Sequence, residues 1–109
     1  MIIKENKLVF DKSVIVCEKP ILEAQILEKF IIILLDPDAY TKKTGQFNNL
    51  LAYSHNGKLM WKAELPTNQP GDRYYQISSY HPLTASSIFS YTCEIDISTG
   101  KIKNRKFYK

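Results

Sequence analysis

Apolar and polar positions alternate at the period of a β-strand over much of this chain. The clearest stretch is NNLLAYSHNGKLMWKAELP, residues 48–66, where two alternating segments flank Asn56-Gly57. Asn-Gly suits a two-residue type I′ turn, because both central residues there need positive φ. Pairing outward sets His55 opposite Lys58, Tyr53 opposite Met60 and Ala52 opposite Trp61. Leu50, Ala52 and Ser54 then share a core-facing side with Leu59, Trp61 and Ala63. Leu51, Tyr53, His55, Lys58, Met60 and Lys62 form the opposite, half-wet side. A second hairpin is predicted in YTCEIDISTGKIKNRKF, residues 91–107. Cys93, Ile95 and Ile97 alternate with polar residues, the Asp96 carboxylate accepts local N–H groups, and Gly100 takes positive φ before Lys101.

Elsewhere the pattern is more varied. FIIILL, residues 30–35, is apolar on both sides of a pleat, as in a central strand covered on both faces. The polar stretch DPDAYTKKTGQFNN after it, residues 36–49, exceeds the usual connection length, which marks it as mobile or functional. KLVF and SVIVC form a short hairpin across Asp11-Lys12. PILEAQILEKF admits two readings. A short helix near residues 20–29 would have Pro20 in its first turn and Leu22, Ile26 and Phe30 at spacings of four. A strand would set Ile21, Glu23 and Gln25 on one side and Leu22, Ala24 and Ile26 on the other. The absence of a glycine stop before FIIILL favours the strand. Residues 66–72 are a loop, Tyr75, Ile77 and Ser79 alternate with Tyr74, Gln76 and Ser78, His81-Pro82 turns the chain, and residues 87–97 form another strand.

The patterns FIIILLDPD, NNLLAYSHNGKLMWKAELP and YTCEIDISTGKI resemble a group of small bacterial proteins of uncharacterised function. The same phrases resemble repeats of quinoprotein-like β-propellers. The resemblance covers roughly residues 30 to 103, and it carries no catalytic residues. Gly57-Lys58-Leu59 corresponds to Gly100-Lys101-Ile102 at a spacing of 43, the period of blade repeats. A propeller needs at least four blades of about 40 residues. The expected fold is therefore all-β and mostly antiparallel, with about eight strands. The blade-like hairpins would close on each other as a two-sheet sandwich or a flattened barrel.

With 109 residues, 44% apolar and 24% charged, the chain reads as one globular domain, residues 1–109, and its composition argues against disorder. No secretory pattern opens it, and FIIILL is too short to span a bilayer, so a soluble, cytoplasmic protein is expected. The net charge of +4 is unevenly placed. Lys101, Lys103, Arg105, Lys106 and Lys109 carry +5, which leaves residues 1–100 at −1. Cys17 and Cys93 sit in apolar β-like runs and read as buried, reduced thiols.

Little points to chemistry. His55, His81, Cys17 and Cys93 are the soft ligand candidates, and none lie two to five residues apart as in zinc sites. Cys93 sits mid-strand without the charge or helix terminus that activates a thiol. The four glycines all fall in turns, so no phosphate loop is present. No catalytic residue, metal or cofactor is expected. The seven tyrosines are more informative, since tyrosine and arginine are enriched at protein interfaces. Arg73, Tyr74, Tyr80 and Tyr91 are the candidate partner-binding residues. The leading expectation is a non-enzymatic protein-binding module. Bacterial immunity proteins, which block a cognate toxin, are one class with this profile. The alternative is nucleic-acid or polyanion binding through the basic C-terminal strand. Strand parity there places Lys101, Lys103 and Arg105 on one face, with Phe107 continuing it to stack a base.

Overall fold

The computed structural model describes residues 1–40 and 45–108. It is all-β and sandwich-like, as the alternation predicts. Among the described residues eleven strands form three antiparallel sheets, and none of these closes into a barrel. Sheet 1 holds β1 (Ile2–Lys4), β2 (Lys7–Phe10) and β3 (Ser13–Val16). Sheet 2 is the meander β4 (Ile21–Ile26), β5 (Ile31–Leu35), β6 (Leu50–Tyr53) and β7 (Leu59–Lys62). Sheet 3 is a second meander, β8 (Tyr74–Tyr80), β9 (Leu83–Ser87), β10 (Tyr91–Ile95) and β11 (Ile102–Phe107). Residues 20–29 contribute β4 rather than a helix.

The layers stack in the order sheet 1, sheet 2, sheet 3, which makes three layers rather than two. All five residues of β5 are completely buried, because each face of sheet 2 has a cover. Ile32 and Leu34 join Leu50, Ala52, Trp61 and Ala63 against Tyr74, Ile77, Leu83, Ala85, Cys93 and Ile95 of sheet 3. Ile31, Ile33 and Leu35 meet Leu8, Ile15 and Cys17 on the other side. Sheet 1 therefore corrects the expected half-wet face of the central hairpin, since Leu51 is buried beneath it.

Bulges redirect several faces. Ala52 does pair with Trp61, as predicted, but Tyr53 pairs with Leu59 rather than Met60. Ser54 N–H bonds the Lys58 carbonyl at 2.8 Å, and among the loop residues only Gly57 has positive φ. The connection is thus a three-residue loop with glycine in the left-handed position, not a type I′ turn. Leu59 is consequently exposed rather than core-facing. In β4 an irregularity at Leu22 sets Ile21, Ala24 and Ile26 against the sheet 1 side. The second hairpin keeps its predicted turn. Gly100 has φ of 78°, and the Ser98 hydroxyl and N–H bond the Asp96 carboxylate at 2.7 and 2.9 Å. Those bonds hold the Asp96 carboxyl below its usual range.

The long polar stretch at 36–49 is described only at its two ends, and residues 41–44 lie outside the described residues. Its described ends lie against the 66–73 loop. Phe47 N–H bonds the Asp72 carbonyl at 3.0 Å, Gly71 N–H bonds the Gly45 carbonyl at 2.6 Å, and Gln46 Nε2 donates to the Thr67 carbonyl.

Candidate interaction surface

The four candidate partner-binding residues do not converge. Tyr74 is fully buried, its hydroxyl donating to the Glu64 carbonyl at 2.6 Å. Burial, with Cys93 beside it, pushes that hydroxyl's pKa well up. Tyr74 is a core residue, which removes it from any contact surface of the folded chain. Tyr80 is half-buried and donates to a Glu23 carboxylate oxygen at 2.6 Å, tying sheet 3 to sheet 2. Burial and that carboxylate raise its pKa as well. Arg73 lies at the opposite end of β8, about 20 Å from Tyr80 at the rise of a strand. Its Nη1 donates to the Gly71 carbonyl at 2.7 Å, and its guanidinium lies 5.2 Å over the Tyr40 ring. Tyr91 sits on the rim of the inter-sheet core, edge-on to Phe107 with centroids 5.3 Å apart.

The reason lies in β8. Two register shifts leave Tyr75 and Ser78 without a partner across the pair, so Tyr74, Ile77 and Tyr80 all turn inward at spacings of three. Strict alternation cannot yield that spacing. The same shift turns Tyr75 outward, and its hydroxyl lies 2.7 Å from that of Tyr108.

Tyr75 belongs to a cluster at one end of sheet 3. The turn between β9 and β10 carries Ile88 and Phe89 at its tip, 39% and 37% exposed. Ile88 N–H bonds the Arg73 carbonyl at 3.0 Å, and Tyr108 N–H bonds the Ser90 carbonyl at 2.8 Å. These bonds bring the start of β8, the turn and the end of β11 together. Phe107 lies at the same end of the sheet but on the Tyr91 side, 56% exposed. Ser90 holds φ of 71°, a left-handed conformation that a non-glycine residue adopts only when its surroundings enforce it. Arg73 and Tyr91 border this end; Tyr75 and Tyr108 belong to the interface-like tyrosine supply but not to the candidate partner-binding residues, and Ile88 and Phe89 escaped the sequence reading. The strand expected over residues 87–97 is interrupted here, because residues 88–90 form the turn between β9 and β10 and set Ile88 and Phe89 at a tip that is ordinarily polar.

The basic strand is not one face. A register shift between Glu94 and Ile95 pairs Ile95 with Ile102 and Glu94 with Asn104, which breaks the alternation at Lys103. Lys103 Nζ lies 3.3 Å from the Glu94 carboxylate. Arg105 instead faces the Cys93 side, where its Nη1 donates to the Pro66 carbonyl and its guanidinium lies 5.7 Å over Tyr91. Lys101 is exposed before the strand begins. The expected stripe of Lys101, Lys103 and Arg105 is thus divided, with Phe107 on the Arg105 side.

Cys17 and Cys93 lie on opposite sides of sheet 2, and both are free thiols. Burial pushes both pKa values up. Neither is expected to react with Ellman's reagent in the native state at pH 8, and two equivalents should react in denaturant. Fast native labelling of either would contradict the burial. Among the described residues no three His, Cys, Asp or Glu side chains gather as a metal site would require, and no helix is long and apolar enough to cross a membrane.

A family model described as Domain of unknown function (DUF7957) matches residues 1–107. No curated protein and no solved structure matches the chain.

Proposed function

The chain belongs to the DUF7957 family, a domain of unknown function, and we propose that it is a non-enzymatic module that binds another protein through the aromatic end of sheet 3. The observation that carries this is the exposure of Tyr75, Ile88, Phe89 and Phe107 at one end of sheet 3, where the Tyr75 hydroxyl also lies 2.7 Å from that of Tyr108. Aromatic anchors beside an arginine have the composition of interface hot spots. Water gains nothing from apolar side chains held at a turn tip, whereas a partner that covers them gains about 25 cal/mol per Å² of apolar area. An immunity-type protein is the special case in which the partner is a toxin, and the neighbouring genes would bear on that directly.

A photo-crosslinking residue placed at Phe89 or Phe107 in the native host is expected to capture one protein repeatedly. The same residue at Leu22, exposed on sheet 2, should not. Failure to capture any protein specifically at Phe89 and Phe107 would sink this reading. Polyanion binding predicts a different result: oligonucleotide affinity that falls steeply with salt and loses that slope in Lys103→Ala and Arg105→Ala.

A further inference from the structure

The outer face of sheet 1 has a composition of its own. Leu8, Ile15 and Cys17 turn inward onto sheet 2. On the opposite face the strand register sets Ile2, Val9 and Val14 in one cross-strand row, and Lys4, Lys7 and Val16 in the next. Ile2, Val14 and Val16 are 68%, 56% and 64% exposed. β-Branched side chains suit a strand, but nothing in strand formation requires four aliphatics on the solvent side of a three-stranded sheet. A contiguous apolar patch of this kind marks an interaction surface.

The charges narrow the choice of partner. Lys4 and Lys7 stand directly opposite each other, and like charges in a cross-strand pair destabilise it. Among the described residues no carboxylate lies within ion-pair distance of either ammonium group. The acidic residues of this sheet, Glu5 and Asp11, are confined to its two turns, both at φ of 55°. The face is therefore aliphatic with two cations and no anion.

We propose that this face docks a partner protein through an extended, aliphatic segment that carries Asp or Glu side chains. A carboxylate set between Lys4 and Lys7 relieves their repulsion and is itself neutralised, while the aliphatic rows of the two partners exclude water from the pair. A second copy of this chain would bring two more ammonium groups to the same patch, so charge works against self-association. The surface lies on the far side of sheet 2 from sheet 3, which carries the aromatic end, so the inference stands or falls independently of the function proposed above.

Two synthetic β-hairpin peptides test it, each presenting valines on one face and bearing either two glutamates or two lysines there. Titrated into the isotopically labelled full chain, the glutamate hairpin is expected to shift the NMR signals of Ile2, Val9, Val14 and Val16. It should bind at least about tenfold more tightly than the lysine hairpin, as a close charge pair implies, and the difference should shrink as salt rises. Lys4→Glu with Lys7→Glu should reverse the preference, and Val14→Thr should weaken both peptides. These side chains are exposed, and an unchanged thermal midpoint would show that the variants remain folded. Equal affinities, no binding of either peptide, or shifts located outside sheet 1 would overturn the proposal. So would sedimentation showing two copies joined through this face, or phosphatidylserine vesicles outcompeting the glutamate hairpin for it.

Discussion

Asn49→Ala is expected to lower the stability of the fold by about 3 kcal/mol or more, since it strands several buried backbone groups at once. The Asn49 side chain is fully buried where sheet 2 meets sheet 3. Its Nδ2 donates to the Leu35 carbonyl at 2.9 Å and to the Tyr74 carbonyl at 2.7 Å. Its Oδ1 accepts the Tyr74 N–H at 2.9 Å. Those partners dictate which amide atom is which, since carbonyls need a donor and an N–H needs an acceptor. Alanine leaves all three backbone groups without this partner and opens a void the size of a side-chain amide. The loss is a large share of the roughly 5–15 kcal/mol that holds a domain of this size together. Urea unfolding measures it, and a change below about 1 kcal/mol would mean that water or a shifted strand replaces the amide. Asn49→Asp separates donor from acceptor. A carboxylate there can still accept from Tyr74 but faces two carbonyls, so its folded-state pKa rises above the unfolded value. The cost should then be smallest below the unfolded pKa of about 4 and grow as pH rises from there through the raised folded-state pKa.

Gly100→Ala should be comparably damaging, by about 3 kcal/mol, for two separable reasons. Gly100 has φ of 78°, which an L side chain adopts at a cost. A Cβ built there would also lie 2.6 Å from Cε3 and 2.7 Å from Cδ2 of Trp61. The indole cannot swing aside, being 8% exposed and bonded through Nε1 to the Ile97 carbonyl at 2.9 Å. Gly45→Ala isolates the first reason, because Gly45 has φ of 83° and no atom of the described residues lies within 4 Å of a Cβ built there. The expected order is Gly45→Ala mild and Gly100→Ala severe. Trp61 is the one tryptophan in the chain, so its fluorescence reports the displaced ring directly. Equal thermal midpoints for the two variants would rule out the clash.

These two positions also show what a sequence can and cannot display. Gly100 was legible as a turn glycine, because the Thr-Gly-Lys pattern requires positive φ there. Its contact with Trp61 was not, since the two residues stand 39 apart in different hairpins. Asn49 was invisible as a hub, for an asparagine beside Asn48 at the end of a polar stretch reads as loop. The tyrosines failed for a related reason. Alternation assigns faces only while the register is unbroken, and β8 slips twice, turning Tyr74 into the core and Tyr75 out of it. The same happened to Lys103 in β11.

The sequence by itself determined the all-β class, the central burial of Ile31–Leu35, the Ala52–Trp61 register and the turn at Gly100. All of these rest on local stereochemistry and on a two-residue period, which a chain carries wherever it folds. Only the tertiary structure decided that there are three layers, that Tyr74 and Cys93 share one core while Cys17 lies in the other, and that residues 75, 89, 107 and 108 lie at one end of sheet 3. Those outcomes depend on which sheet covers which face and on where each ladder gains an extra residue. Both are settled by packing between segments far apart in the chain, where periodicity has no information to offer.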